Sequence, residues 1–298
     1  MPKPSSHAPA LSIKQIRQRV LVALFSDDEL MEVLVLKGGN AISMIHGISD
    51  RTSIDLDFSI AERFNDAKRM ADKIFDSLDR EFRSDGLVVF DRTFASKPNA
   101  PGKNTPDWWG GYFLTFKLVR RDIFDEYGGN LDLLRRHAES VAPSQQRKFT
   151  IDISHNEYCD GKIQSEVDDH IVYAYSLEMI VAEKFRAICQ QMEEYEVMGD
   201  RRRARARDFF DIHSILSEGK VDLASAETLR LFRSVFAAKH VPLELIDKII
   251  DTRDFHSTDW AQVVQSVGSR IEDFDFYFDS VTKTAKSLEP LWKMQSPF

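Results

Sequence analysis

Two aspartates two positions apart carry the clearest chemical signal in the chain. Asp55 and Asp57 lie in the segment 54–60, where apolar side chains occupy every second position. This alternation predicts a strand with both carboxylates on one face, close enough to share a divalent cation. Hard oxygen ligands favour Mg²⁺, which takes carboxylates, waters and substrate phosphates. The alternative is that the pair is only the solvated face of a sheet.

A diglycine precedes these aspartates at the end of an apolar run. Gly38 and Gly39 follow the run 33–36, which predicts a short buried strand, and lead into a segment, 40–46, that suits a short helix. In such a turn the backbone N–H groups can receive a phosphate, and the missing side chains let it approach closely. A diglycine turn, a short helix and an Asp-x-Asp strand together favour a metal-dependent phosphoryl or nucleotidyl transferase.

The segment 36–59, LKGGNAISMIHGISDRTSIDLDFS, resembles the first motif of the DNA-polymerase-β-type nucleotidyltransferases. More narrowly, it is similar to the AbiEii family of bacterial type IV toxin–antitoxin and abortive-infection toxins. That family carries a GG-T-A-L segment, an arginine and a D-L-D-F-S strand, and here Asn40 stands where threonine is more usual. The resemblance implies nucleotide contacts at Gly38, Gly39, Asn40, Arg51 and Ser53, and metal binding by Asp55 and Asp57.

The superfamily pattern also requires a third carboxylate on a neighbouring strand. The segment 147–154 alternates, so that Asp152 shares one face with Thr150 and Ser154. The resemblance implies that Asp55, Asp57 and Asp152 hold two Mg²⁺ ions and that Asp152 helps to activate the acceptor hydroxyl as a general base. The alternative for Asp152 is a solvent-facing strand residue.

Lys184 interrupts an apolar stripe in a helix predicted over 176–191. Because burying an unpaired ammonium is costly, a lysine at such a position either extends to solvent along its own stem or meets an anion. The residues alone favour the first reading. The stretch also resembles a Glu-Lys-aliphatic-Arg-Ala helix of the AbiEii family, which implies the second, with Lys184 handling the nucleotide triphosphate.

A basic stretch opens the next predicted helix, 202–216. Five arginines fall within seven residues: Arg201, Arg202, Arg203, Arg205 and Arg207. They form either a solvated, ion-paired helix start, with Arg207 and Asp211 paired on its surface, or phosphate contacts to the nucleotide or to an RNA backbone. The stretch resembles the family's R/K-D-aromatic-aromatic-D helix, which implies that Asp208 orients Lys184 or the substrate.

The remaining sequence predicts a mixed α/β region followed by a helical region. Helices are predicted over 12–24, 64–82, 176–191, 202–216, 223–237 and 243–252, and strands over 33–36, 54–60, 86–94, 111–120 and 147–154. The fold class is therefore α/β (α+β). By resemblance, residues 1–170 form a polymerase-β-like mixed sheet flanked by helices, with a loose tail at 1–10. Residues 171–298 form a helical domain that completes the nucleotide site.

A long loop is predicted over 95–110, with three prolines and two tryptophans. Trp108 and Trp109 could stack on a base or a ribose. A core or interface contact explains them equally well, so both interpretations stay open.

Composition excludes several classes of protein. The chain has 298 residues and a net charge of −8, which excludes a histone-like polycation but not a local basic patch. Its two cysteines, Cys159 and Cys189, form no CxxC and fit a reducing cytoplasm better than a disulfide scaffold or a zinc ribbon.

No stretch approaches the ~18 apolar residues of a membrane helix, and the first residues lack the apolar core of a signal peptide. We therefore predict a cytoplasmic protein without a membrane anchor.

Together the residues and the resemblance predict a Mg²⁺-dependent enzyme that transfers NMP from an NTP to an acceptor hydroxyl and releases pyrophosphate. The resemblance implies an RNA acceptor, with tRNA 3′ ends as the leading candidate, a toxin or phage-defence role, and an antitoxin partner encoded alongside. Two alternatives stay open. One is a related enzyme that modifies a protein or a small molecule, and the other is a non-catalytic NTP-binding module.

Overall fold

A mixed sheet of seven strands lies at the centre of the computed structural model, which describes residues 11–48, 55–99, 105–140, 147–267 and 270–293. The strands are β1 Val35–Lys37, β2 Leu56–Ser59, β3 Leu87–Lys97, β4 Gly111–Arg120, β5 Phe149–Ser154, β6 Lys162–Val167 and β7 His170–Tyr175. Their order across the sheet is β3-β4-β5-β2-β1-β7-β6. The pairs β1–β7 and β2–β5 are parallel, and the other neighbours are antiparallel. The predicted mixed sheet is confirmed.

Helices flank this sheet and make up the chain after β7. The first group comprises α1 Ile13–Phe25, α2 Asp28–Val33, α3 Gly38–Asn40 with the π-helical turn Ala41–Ile45, α4 Ala67–Ser84, α5 Arg121–Glu126 and α6 Leu131–His137. The second comprises α7 Leu177–Cys189, α8 Ala206–Ser217, α9 Ala226–Ala237, α10 Arg253–Ser257, α11 Trp260–Ser266, α12 Phe274–Ser287 and α13 Pro290–Lys293, with 3₁₀ turns at Gly199–Arg201 and Leu243–Thr252. The predicted order, a mixed sheet and then helices, is confirmed.

Two helix starts follow directly from local capping. The Ser12 side chain accepts the backbone N–H of Gln15, and the Gln15 side chain accepts the backbone N–H of Ser12, which forms a capping box at the start of α1. Ser176 caps α7 through its own side chain. Both starts agree with the predicted boundaries because the caps lie in the adjacent sequence.

The start of α8 has a tertiary cause instead. The backbone N–H of Arg205 donates to Nδ1 of His256 at 3.0 Å, and that of Ala206 donates to Oδ1 of Asp259 at 3.0 Å. Because these acceptors lie about fifty residues further along the chain, no local sequence pattern predicts them. The helix therefore begins four residues later than predicted, and residues 202–205 precede it.

The β6–β7 hairpin is missing from the predicted elements. β6 is an edge strand with exposed polar side chains, a composition that protects an edge and hides the usual apolar alternation. β7 pairs with β1 through Leu36 and Ala174, next to the diglycine. The predicted boundary at 170/171 falls at the first residue of this strand.

A continuous hydrophobic core joins the sheet to the helices that follow it. Phe58 of β2, Phe185 of α7 and Phe232 of α9 are all fully buried members of the same cluster. The helical region therefore packs against the sheet and brings its own charged side chains to the ends of β1, β2 and β5. In the part of the chain that the structure describes, no helix is long and apolar enough to cross a membrane.

Candidate active site

A cavity of about 390 Å³ lies between the sheet and the helical region. Its charged lining residues are Lys37, Lys97, Lys184, Arg186, Arg205, Arg207 and Lys239, with Asp57, Asp152, Glu157, Glu183 and Asp208. Seven basic and five acidic side chains give this lining a surplus of two positive charges, in a chain whose net charge is −8. The cavity brings together eight of the predicted site residues: Gly38, Gly39, Asp57, Asp152, Lys184, Arg205, Arg207 and Asp208.

Asp57 and Asp152 are neighbours across two parallel strands. β2 and β5 pair with Asp57 directly opposite Asp152, so both carboxylates lie on the same face. Burial raises the pKa of Asp57 to about 6; Lys37 opposes that rise, and the negative charges of Asp152 and Asp55 add to it. The Asp152 carboxylate accepts a hydrogen bond from Lys97. Asp152 therefore has a cation of its own, whereas Asp57 is the carboxylate of the pair whose charged form burial disfavours.

Asp55 does not occupy the predicted strand. β2 begins at Leu56, and Asp55 is an exposed residue in the bend before it, outside the cavity lining. The physical reason is the neighbouring strand: β1 ends at Lys37, opposite Asp57, and turns into α3, so the pairing of β1 with β2 stops before position 55. The expectation that Asp55 and Asp57 project from one strand face is wrong.

Gly38 is needed for a close approach to Asp57. Its φ is +68°, and a Cβ at this position would lie 2.8 Å from Oδ2 of Asp57. A side chain here would be strained and would also push the carboxylate aside. The diglycine therefore brings bare backbone against the Asp57 carboxylate, in agreement with its predicted place at the site.

Asn40 is buried behind the site and does not line the cavity. Its Oδ1 accepts from Nη1 of Arg17 at 2.9 Å, and its Nδ2 donates to the backbone carbonyl of Asp55 at 2.6 Å. Both ends of the amide are thus used within the protein. The Asn40 side chain thus holds the backbone at Asp55, and its predicted nucleotide contact stays a prediction.

The other two predicted nucleotide contacts, Arg51 and Ser53, lie outside the described residues.

Lys184 is buried, with 4% of its surface exposed, and it meets two carboxylates. Its Nζ donates to Oδ1 of Asp208 at 2.9 Å and to Oδ2 of Asp211 at 2.7 Å. Nε of Arg205 lies 3.0 Å from the other Asp208 oxygen. Burial favours the neutral form of Asp208, but the charges of Lys184 and Arg205 outweigh it and lower the pKa of Asp208 to about 2. The lysine does not extend to solvent.

Asp211 was not among the predicted site residues. It was expected on the helix surface, paired with Arg207, but it is 1% exposed and faces Lys184. A spacing of four residues from Arg207 suggested a surface pair, whereas the apolar packing of α8 turns this face inward. The sequence signal for Asp211 is its place as the second aspartate of the R/K-D-aromatic-aromatic-D helix motif.

The five arginines divide into two groups. Arg205 and Arg207 line the cavity. Arg201 donates to the backbone carbonyls of Val197 and Met198, and Arg202 pairs with Glu193 at 3.1 Å, while Arg203 is exposed. Because α8 begins only at Ala206, the first three arginines do not form the predicted helix start. They lie outside the cavity lining.

Six charged residues of the cavity are absent from the prediction. Two are Lys97 and Glu183, and the other four form one group: Lys37, Glu157, Arg186 and Lys239. Glu157 lies within 4 Å of all three basic side chains, which come from β1, α7 and the segment after α9. Lys37 also donates to Oγ of Ser154 at 3.1 Å. Only Lys37 carries a local signal, as a lysine at the end of an apolar strand. The others meet through the fold alone.

The fit of a metal ion depends on the carboxylates. In the described ranges, no three Asp, Glu, His or Cys side chains form a group that could hold a metal ion, so the expected three-carboxylate set is not assembled. Asp57 and Asp152 nevertheless fit a hard cation, because they are adjacent oxygen donors and a bound cation would favour the charged form of Asp57, which burial disfavours.

Of the two tryptophans, only Trp109 lines the cavity. The Trp108 ring packs against His240, with 4.6 Å between ring centroids. Trp109 is therefore the member of the pair that a ligand in the cavity could reach, and its stacking on a base stays a prediction.

Comparison with known proteins identifies the family. The model for the nucleotidyl transferase AbiEii toxin of type IV toxin–antitoxin systems matches residues 19–280. The sequence matches no curated protein. Among solved structures, JHP933 from Helicobacter pylori is 16% identical and aligns over 94% of this chain and 92% of that chain, with a TM-score of 0.48. An antigenic nucleotidyltransferase-like protein from Paracoccidioides brasiliensis is 14% identical over 87% and 96% of the two chains, with a TM-score of 0.40. The family match spans most of the chain, so this protein is a nucleotidyltransferase that belongs to the AbiEii toxin family of type IV toxin–antitoxin systems.

Proposed function

We propose that this enzyme uses Mg²⁺ to transfer NMP from an NTP to a hydroxyl of RNA, with the 3′ end of tRNA as the leading acceptor. The transfer acts in the cytoplasm as a growth-arresting toxin or phage-defence activity, which a cognate antitoxin neutralises. One observation carries the proposal: two adjacent carboxylates, Asp57 and Asp152, lie in a cavity whose charged lining has a surplus of two positive charges.

The proposed reaction exchanges one bond to the α-phosphorus for another. The acceptor oxygen forms a bond to this phosphorus, and the bond from the phosphorus to the bridging oxygen of the β-phosphate breaks. The electron pair stays on the departing pyrophosphate, and Asp152 takes up the hydroxyl proton. Asp57 and Asp152 would hold the Mg²⁺ ions together with the substrate phosphates, and the ions would supply charge stabilisation when bound.

Lys184 and Asp208 serve the nucleotide in this proposal. Lys184 Nζ uses two of its three N–H donors on Asp208 and Asp211, and the third remains for a phosphate oxygen. Asp208 fixes the direction of the ammonium group. Gly38 and Gly39 contribute backbone close to Asp57, where the α-phosphate would lie.

The positions of the five arginines favour a polyanionic acceptor such as RNA. Arg205 and Arg207 line the cavity, and the chain just before them carries Arg201, Arg202 and Arg203. An RNA strand whose end enters the cavity can thus contact basic side chains beyond it. A small-molecule acceptor has no use for positive charge outside the cavity.

We also propose the division into a catalytic domain, 1–170, and a helical domain, 171–298, that completes the nucleotide site. Its support is the cavity, to which the first part contributes Asp57 and Asp152 and the second contributes Lys184 and Asp208. Neither part alone supplies both sets of side chains.

The test uses the purified protein, Mg²⁺, each of the four α-labelled NTPs in turn, and total tRNA. We expect label on RNA with the wild type, none with Asp57→Asn, and wild-type labelling with Asp132→Asn, an aspartate whose side chain is 82% exposed. Chelation should stop labelling, and added Mg²⁺ should restore it. Label on protein or on a small molecule would overturn the RNA acceptor. NTP binding without any transfer would overturn the enzymatic proposal in favour of a binding module.

A further inference from the structure

Three basic side chains converge on one buried carboxylate at the side of the cavity. Oε1 of Glu157 lies 3.7 Å from Nζ of Lys37 and 3.6 Å from Nζ of Lys239, and Oε2 lies 3.1 Å from Nη1 of Arg186. None of the four residues is more than 9% exposed. Glu183 adds a second carboxylate, 3.3 Å from Nη2 of Arg186. We call these five residues the Glu157 cluster.

The cluster has more positive than negative charge. Lys37, Arg186 and Lys239 face the two carboxylates of the cluster, and outside it Asp57 adds a negative charge near Lys37 alone. A buried cation without its full complement of negative charge is costly. Nε of Arg186 is buried and has no hydrogen-bond partner in the described part of the chain. Burial lowers the pKa of Lys239 to about 8 against the opposing charge of Glu157, so that this lysine stays mostly cationic at pH 7. An anion would satisfy both the charge and the unpaired donor.

We propose that the Glu157 cluster is an anion subsite for the terminal phosphates of the NTP, the part that leaves as pyrophosphate. This inference rests on the proposed function, since it assigns part of the substrate to part of the same cavity. Lys37 lies directly opposite Asp57 in the pairing of β1 and β2. A nucleotide with its α-phosphate at Asp57 therefore has the cluster beside it for the β- and γ-phosphates, whose oxygens take charge-assisted hydrogen bonds.

Burial selects the terminal phosphates over an RNA backbone. The three cations of the cluster are between 3% and 9% exposed, so that only a small anionic group entering the cavity can reach them. A continuous polyanion needs exposed side chains, such as Arg203 and Arg207. The terminal phosphates of the NTP would thus bind inside the cavity, and the phosphates of the RNA backbone would bind at its rim.

If Lys239 had only a structural role, its substitution would have a different effect from the one that an anion subsite predicts. Nζ of Lys239 donates to the backbone carbonyls of His155 at 2.6 Å and Trp108 at 3.3 Å, which ties the segment after α9 to the sheet. If this tie were its whole purpose, removing the charge would lower stability and leave anion affinity in the folded protein unchanged. An anion subsite loses affinity when the charge is removed and regains it when the charge is restored.

The test measures binding of inorganic pyrophosphate by calorimetry in metal-free buffer with the full-length protein. We expect Lys37→Met and Lys239→Met each to weaken pyrophosphate binding about tenfold or more, as the loss of a charged hydrogen bond predicts, and to change NMP affinity less than twofold. Lys248→Met is the matched control, because Lys248 is a half-exposed lysine paired with Glu194 outside this cavity. It should bind pyrophosphate as the wild type does.

Lys37→Arg and Lys239→Arg complete the test. They keep the charge and should recover most of the pyrophosphate affinity, even where a methionine variant does not fold. Wild-type affinity in both folded methionine variants would overturn the subsite, as would arginine variants that fold but do not recover binding. The measurement needs no metal, acceptor or turnover, so pyrophosphate binding that depends on these lysines stands even if no transfer is found. Labelled RNA with unchanged pyrophosphate affinity would reject the subsite alone.

Discussion

Asp57 and Asp208 line the same cavity, yet their acidities are shifted in opposite directions. Asp57 and Asp152 line the side of the cavity that the strands form, which we call the sheet wall. There, burial and two neighbouring carboxylates raise the pKa of Asp57 to about 6. Lys184 and Asp208 line the opposite side, the helical wall. Burial favours the neutral form of Asp208, but Lys184 at 2.9 Å and Arg205 at 3.0 Å lower its pKa to about 2. Burial alone does not decide the sign of such a shift. The supply of nearby positive charge does.

The difference indicates how each wall is held together. On the helical wall, the protein's own cations Lys184 and Arg205 compensate the charge of Asp208. On the sheet wall, the buried Asp57 carboxylate keeps a raised pKa in spite of the nearby Lys37, so that its charged form lowers the stability of the protein. A cation supplied from outside would remove that loss of stability. The predictions below change one wall at a time to test this contrast.

The largest effect is expected on the sheet wall, in activity. Asp57→Asn removes a proposed metal ligand and should lower the transfer rate by about 10³-fold or more. In metal-free buffer the same variant should be as stable as the wild type or more stable, since it removes an uncompensated buried charge. Labelling assays and urea unfolding measure the two quantities. A clear loss of stability in metal-free buffer would contradict the contrast between the walls.

The helical wall should respond in stability as well as in activity. Lys184→Met leaves Asp208 and Asp211 buried without their shared cation, which should lower the free energy of unfolding by about 3–5 kcal/mol. Transfer should also be lost. Urea unfolding at pH 7 gives the free energy, with Lys248→Met as the control that is expected to match the wild type. An unchanged midpoint would show that Lys184 does not hold this wall together.

The pH dependence of stability should distinguish the two aspartates. Because the folded-state pKa of Asp57 is raised to about 6, the native protein binds the extra proton, and stability should fall as pH rises from about 4 to 6. The Asp57 contribution is about 3 kcal/mol, and the difference between wild type and Asp57→Asn in metal-free buffer isolates it. For Asp208 the sign is opposite: its contribution is present above pH 4 and is lost as pH falls toward 2. Equal pH profiles for wild type and Asp57→Asn would contradict the raised pKa.

The smallest expected effect concerns the arginines outside the cavity. Neutralising Arg201, Arg202 and Arg203 together should make tRNA binding less sensitive to salt, because each phosphate contact of a single strand contributes about 0.7 to the slope of log affinity against log salt. Transfer at saturating tRNA should stay close to the wild-type rate. Fluorescence anisotropy at several salt concentrations measures the slope. An unchanged slope would restrict RNA contact to the cavity itself.

Much of the sheet wall can be predicted from the sequence because its signals are local. The alternation of 147–154 places Asp152 on the polar face, and the diglycine ends β1 beside Asp57. Lys184 is conspicuous because it interrupts an apolar stripe. Each of these predictions uses only the period of a strand or a helix and the residues next to it.

The Glu157 cluster could not be found in this way. Lys37, Glu157 and Lys239 are separated by 120 and 82 positions, and each is an ordinary charged residue in its own segment. The late start of α8 has the same origin, since its caps come from His256 and Asp259. The bend at Asp55 also follows from a neighbour, because the pairing of β1 with β2 stops before it.

By itself the sequence determined the family, the order of sheet and helices, and the residue types that do the chemistry. These depend on short-range periodicity and on motifs a few residues long. Only the tertiary structure decided which charges meet which: Lys184 with Asp208 and Asp211, Asp152 with Lys97, and three cations with Glu157. Electrostatic energy depends on distance and burial, and neither is set by separation along the chain. The acidic chain therefore folds around a cationic cavity.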